Sequence, residues 1–149
     1  MLKVKDIMST DPLTVTTDTG VTQAAKLLVE RRINGIPVVD KKGRLKGILC
    51  QSDLIMQQKS LPLPSFFTLL DGIIPLKSRD AMEAEIKKIA AVTVQEAMTA
   101  NPVFVSPDDS VQTVANLMVE KKFHTLPVVK EGKLVGVVGK EDVLRTLLP

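Results

Sequence analysis

The side chains able to do chemistry in this chain are few. His124 is the sole histidine and Cys50 the sole cysteine, and they lie far apart in the sequence. No nucleophile–base pair, no metal-ligand spacing and no phosphate-cradling glycine loop can be assembled from the pattern. Catalysis is not expected. Two carboxylates do stand out as a matched pair. Asp53 follows Gly47 by six positions, Asp142 follows Gly136 by six, and each opens a short helical pattern. Asp at a helix start caps free N–H groups and suits the dipole, with no ligand needed. The reason for the match lies in the elements around the pair.

Those elements occur twice. At a spacing of 90, Met8 pairs with Met98, Pro12 with Pro102, Val15 with Val105, Leu27 with Leu117, and Pro37-Val38-Val39 with Pro127-Val128-Val129. The spacing then falls to 89, with Gly43/Gly132, Gly47/Gly136 and Asp53/Asp142. The lost residue falls in Asp40–Gly43 against Lys130–Gly132, which reads as a hairpin turn, where length changes are tolerated. So long a period describes two sub-domains rather than a solenoid. In each copy an extended segment (Leu13–Val15, Val103–Val105) precedes an amphipathic helix. Val21, Ala24, Ala25 and Leu28 share one helix face, matched by Val111, Val114, Ala115 and Met118. Gly20 and Ser110 stand at the N-caps. Strands over Ile36–Val39 and Leu45–Leu49, and over Leu126–Val129 and Leu134–Val138, come next, then a helix from about Ser52 or Glu141. The expected fold is α/β (α+β): two β-α-β-β-α units related by a pseudo-twofold axis, packed through the sheet face that a single helix leaves bare. The expected boundaries are 1–58, an insert at 59–91, and 92–149. Within the insert, Phe66–Leu70 is apolar, and Ser78 starts a helical pattern with Met82, Ile86 and Ile89 on one face. It is read either as packing on its own module or as a dimer contact.

Composition narrows the classes further. The chain has 149 residues, 44% of them hydrophobic, four Phe and neither Trp nor Tyr, so an aliphatic core is expected. The net charge of +3 is spread along the chain, and with so few aromatics nucleic-acid binding is not expected. One cysteine excludes an internal disulfide. The apolar stretch from Phe66 to Leu76 is broken by Asp71, Gly72 and Pro75, so no membrane span is expected. The start of the sequence carries no signal-peptide pattern. The expected compartment is the cytoplasm.

The two copies resemble CBS domains, which occur in pairs known as Bateman modules. The resemblance rests on Asp6-Ile7-Met8 with Glu96-Ala97-Met98, on Gly35–Asp40 with Thr125–Val129, and on Gly47…Asp53 with Gly136…Asp142. The insert is similar to the linker of stand-alone microbial CBS pairs. What the resemblance implies is a cleft between the copies with two sites for an adenosine-type ligand: AMP, ADP, ATP or S-adenosylmethionine. It implies no tightly bound cofactor. In such sites Asp53 and Asp142 would accept hydrogen bonds from both ribose hydroxyls, since an ionised carboxylate has two acceptor oxygens. Asn34, Gly35, Ile36 and Pro37, with Thr125, Leu126 and Pro127, would flank the adenine, as would Val15 and Val105. For the two valines plain core is the competing reading.

One departure from the family pattern matters. Three residues before the Asp the family carries Ser or Thr, which reaches a phosphate; Cys50 and Gly139 stand there instead. Each site thereby loses one hydrogen bond, about 1 kcal/mol. Ser52 substitutes in part in the first copy, whereas Glu141 repels a phosphate in the second. His124 is read either as a phosphate contact or as an idle loop residue. Arg31, Arg32, Lys121 and Lys122 are read as solvated charges at helix ends. The leading expectation is a regulatory module acting as a homodimer on an unidentified effector protein, and the alternative is a ligand-free interaction scaffold.

Overall fold

The structure, a computed structural model, describes residues 1–60 and 92–148, with side chains described outside 57–60 and 61–91. The expectations for Phe66–Leu70 and the Ser78 helix lie outside the described residues. In chain order the elements are α1 (Val4–Ile7), β1 (Val15–Thr16), α2 (Val21–Arg31), β2 (Gly35–Val39), β3 (Leu45–Cys50) and α3 (Gln51–Ser60). There follow α4 (Val94–Ala97), β4 (Thr99–Ala100), α5 (Val111–Lys121), β5 (Thr125–Lys130), β6 (Lys133–Gly139) and α6 (Lys140–Arg145). The mixed fold of two β-α-β-β-α copies is as the sequence patterns require.

Strand pairing repeats between the copies. β1 pairs parallel with β2, and β2 antiparallel with β3; in the second copy Val105 bridges Val128 in parallel and β5 pairs antiparallel with β6. Both hairpins turn on a glycine in the left-handed region, Gly43 at φ 79° and Gly132 at φ 81°, which a side chain disfavours. In the longer turn the Asp40 carboxylate accepts from the N–H groups of Lys42 and Arg44. The one-residue difference between the copies is absorbed there.

The segments that lead into each copy are exchanged. α1 docks on the second copy, where Val4 joins a core with Val105, Val114, Leu126, Val128 and Val138. α4 docks on the first, where Val94 and Ala97 join Val15, Val21, Ala24, Leu28, Ile36, Val38 and Leu49. The bonds match one for one: Val94 N–H donates to Thr19 O at 2.8 Å, and Val4 N–H to Asp109 O at 2.8 Å. β4 then pairs with β3 through Gly47↔Ala100 and Ile48↔Thr99, and Ser9 bridges Val137 in the same way. Each sheet is thus completed by residues from the other end of the sequence. The close approach explains the glycines: a Cβ at Gly47 would stand 2.8 Å from Thr99 O, and one at Gly136 2.7 Å from Ser9 O.

The helix faces differ from strict equivalence. In α2, Val21, Ala24 and Leu28 are buried, whereas in α5 only Val114 is. The start of α2 is covered by Val92, a partly buried residue packed on the core; the start of α5 meets the backbone of Leu2, which is exposed. Ser110 caps α5 by accepting from Thr113 N–H at 3.1 Å, whereas Gly20 has no side chain to do so.

Candidate functional site

Two cavities lie between the copies, and each is entered by one of the matched carboxylates. The first, about 560 Å3, is lined by Cys50–Asp53, Thr99, Asn101, Lys121, Lys122 and His124–Leu126, among others. The second, about 320 Å3, is lined by Ser9–Leu13, Arg32–Gly35, Pro37, His124, Thr125, Gly139–Asp142 and Arg145, with Val137. Both volumes fall in the range of about 300–1,000 Å3 usual for small-molecule pockets.

The carboxylates are held by the strand–helix junction. Where β3 turns into α3, Asp53 Oδ2 accepts from the N–H of Cys50 at 2.7 Å, and at the start of α6 Asp142 Oδ2 accepts from the N–H of Gly139 at 2.7 Å. Each Asp therefore does cap its helix, through the N–H three residues back. The residues at the family's hydroxyl positions contribute this N–H, whatever their side chains. The junctions are further pinned by Gln51 N–H to Asn34 O at 3.2 Å and Lys140 N–H to His124 O at 3.0 Å. The second carboxylate oxygens differ. Asp53 Oδ1 accepts from the Thr99 hydroxyl at 3.0 Å, and Asp142 Oδ1 from the Arg145 guanidinium at 3.1 Å. Asp142 is only 8% exposed. Burial, together with the charge of Asp53, pushes the Cys50 thiol up to about 11, so at neutral pH it is protonated and a poor nucleophile.

Of the residues expected to contact a ligand, Asn34, His124 and Thr125 line both cavities. Cys50, Ser52, Asp53 and Leu126 line the larger, and Gly35, Pro37, Gly139 and Asp142 the smaller. Val15, Ile36, Val105 and Pro127 line neither. Val15 and Ile36 belong to the first core and Val105 to the second, whereas Pro127 is buried but alternates with the core-facing Leu126 and Val128.

Sequence reasoning missed the cationic rim. Arg32, Lys121 and Lys122 line the cavities rather than standing apart as solvated charges. Arg32 and Lys122 hold φ of 52° and 58° at the C-caps of α2 and α5, and Asp11 and Asn101 hold 52° and 51°. All four face a cavity, at matched places. Left-handed backbone at residues other than glycine is uncommon and gathers at functional sites. The signal was present as an absence: neither helix is followed by the glycine that usually ends one.

A chain whose two copies complete each other's sheets and enclose two matched, carboxylate-bearing cavities is a paired module defined by its repeat. It belongs to the CBS-domain family: the model of the CBS domain matches residues 4–59 and 94–149. An uncharacterized protein of Methanocaldococcus jannaschii is 31% identical over 99% of this chain and 92% of its own length. The solved structure of CBSX2 in complex with AMP, a protein of Arabidopsis thaliana, superposes with a TM-score of 0.75 at 28% identity, covering 99% of this chain and 97% of that one. The CBS domain pair of protein MJ0100, in complex with 5′-methylthioadenosine and S-adenosyl-L-methionine, gives 0.70 at 28% identity over 99% and 96%.

Proposed function

We propose that this chain is a non-catalytic regulatory module that binds adenosine-type ligands between its copies, with Asp53 and Asp142 accepting the ribose hydroxyls. The observation that carries the reading is the placement of one carboxylate in each of two matched cavities rimmed by cationic side chains. Its support from relatives is the AMP of one solved neighbour and the S-adenosylmethionine and methylthioadenosine of another. Thermal unfolding with AMP, ADP, ATP and S-adenosylmethionine tests it. A ligand at about 100 times its Kd adds roughly 2.7 kcal/mol, a shift of several degrees in Tm.

A ligand-free scaffold is favoured by one observation: both oxygens of each Asp already have partners within the protein. An unmoved Tm with every ligand at millimolar concentration selects the scaffold. Under either reading we propose a homodimer acting on an effector protein. Its support is the matched pair Val29 and Val119, 76% and 79% exposed on α2 and α5. Sedimentation showing only monomer at tens of micromolar overturns the dimer.

A further inference from the structure

The two cavities differ at their carboxylates in a way the repeat makes easy to see. Counting along the matched helices, the counterpart of Arg145 is Met56, of Lys140 is Gln51 and of Glu141 is Ser52. Among the described residues, only the second carboxylate therefore meets a cation on its own helix. Arg145 reaches Asp142 Oδ1 at 3.1 Å, and this is the oxygen left over after Gly139 N–H has taken Oδ2. Arg145 lines the same cavity, and its side chain is 66% exposed against 9% for Asp142. The Asp is fixed and the Arg is free to leave.

We infer that Arg145 is an internal competitor for the ligand in the cavity of Asp142, so that the two cavities fill in order, Asp53 first and Asp142 at higher concentration. The inference rests on the proposed ribose role of the carboxylates. A ribose hydroxyl approaching Asp142 must displace a charge-assisted, oriented bond. One approaching Asp53 displaces only the neutral hydroxyl of Thr99, which can turn and remain as a neighbour. Solvent around Arg145 keeps the penalty modest, as for other partly exposed pairs. The consequence is a module with two thresholds for one ligand. Charge around the smaller cavity agrees with this. Arg32, Lys140 and Arg145 there face Asp11, Glu141 and Asp142, whereas the larger cavity sets Lys121 and Lys122 against Asp53 alone. An anionic ligand gains more in the larger cavity.

Calorimetric titration with adenosine, which has the ribose but no phosphate for Arg145 to attract, tests the inference on the intact chain and on Arg145→Met. Two unequal sites are expected in the parent. In Arg145→Met the weaker site is expected to tighten roughly two- to fivefold, while the site lost in Asp53→Asn stays unchanged. Two sites of equal affinity in the parent, or a weaker site unmoved by Arg145→Met, overturn the inference and leave the functional reading standing. A weaker site that loosens instead makes Arg145 a ligand contact and also overturns it. No adenosine or AMP bound by parent or variant overturns the functional reading, and the competitor role falls with it.

Discussion

The cavity around Asp53 and the cavity around Asp142 follow one plan at the backbone and diverge at the side chains. Both take their carboxylate from the third position of a helix that leaves a strand, both are rimmed by left-handed residues at matched places, and both are closed by a segment from the opposite copy. At the matched positions of the two junctions, however, Cys50, Gln51, Ser52 and Met56 stand against Gly139, Lys140, Glu141 and Arg145, and Met56, unlike Arg145, does not line its cavity. The first set is uncharged and the second is mostly charged. The features shared are those bound into the hydrogen-bonded frame, which cannot change without cost to folding. Those that differ are side chains outside that frame, where charge is free to set ligand preference.

The comparison can be broken or sharpened by substitution. The largest effect is expected from Leu28→Ala, which empties a site 1% exposed in the first core and should cost about 2–5 kcal/mol. Its counterpart Met118 is only partly buried, so Met118→Ala should cost clearly less. Equal losses in urea unfolding would mean the two helices are packed alike. Asp53→Asn should cost about 1.5–3 kcal/mol in AMP binding by calorimetry, roughly ten- to over a hundredfold in affinity. Stability should move less than binding, because the Asn amide oxygen can still accept from the Cys50 N–H that Asp53 Oδ2 holds. Binding like the parent's would reduce Asp53 to a cap. Gly47→Ala and Gly136→Ala force a Cβ against the carbonyl of Thr99 or of Ser9, and both should destabilise by about 1–3 kcal/mol. A loss at one alone would show that the exchanged segments are not held equally. The smallest effect concerns Cys50. Its thiol pKa of about 11, above the ordinary value near 8.5, means that alkylation by iodoacetamide should stay slow at pH 8 and rise only as the pH nears 11. In the same window stability falls: between the ordinary value and 11 the unfolded thiol ionises while the folded one holds its proton. Fast reaction at pH 8 in the folded protein would contradict the buried placement.

Much of this was legible in the sequence, for identifiable reasons. The repeat, the hairpins and the helices of eleven residues carry periodicity strong enough to read. The matched Asp53 and Asp142 were visible through their spacing from Gly47 and Gly136. The exchange of α1 and α4 was not, because each is four residues long, too short to show a period, and its partners lie in the other copy, far away in sequence. Val15 and Val105 were candidate contacts because the sequence says where a residue stands along a strand but not which face meets the ligand. Arg32, Lys121 and Lys122 looked like ordinary solvated charges, since only the three-dimensional approach of the copies turns a helix end into a cavity wall.

That exchange also orders events in time. As the chain is synthesised, the first sheet lacks its last strand until Thr99 and Ala100 have emerged, and Val4 has no core to enter until Val138 has. Neither copy can finish as a local unit, so the slow step is expected to be the closure of these long-range contacts. Pulse-labelled hydrogen exchange during refolding should find the amides of Val4 and Val94 gaining protection in a single phase. The interlock that joins the two repeats into one module is thus expected to make it fold as one.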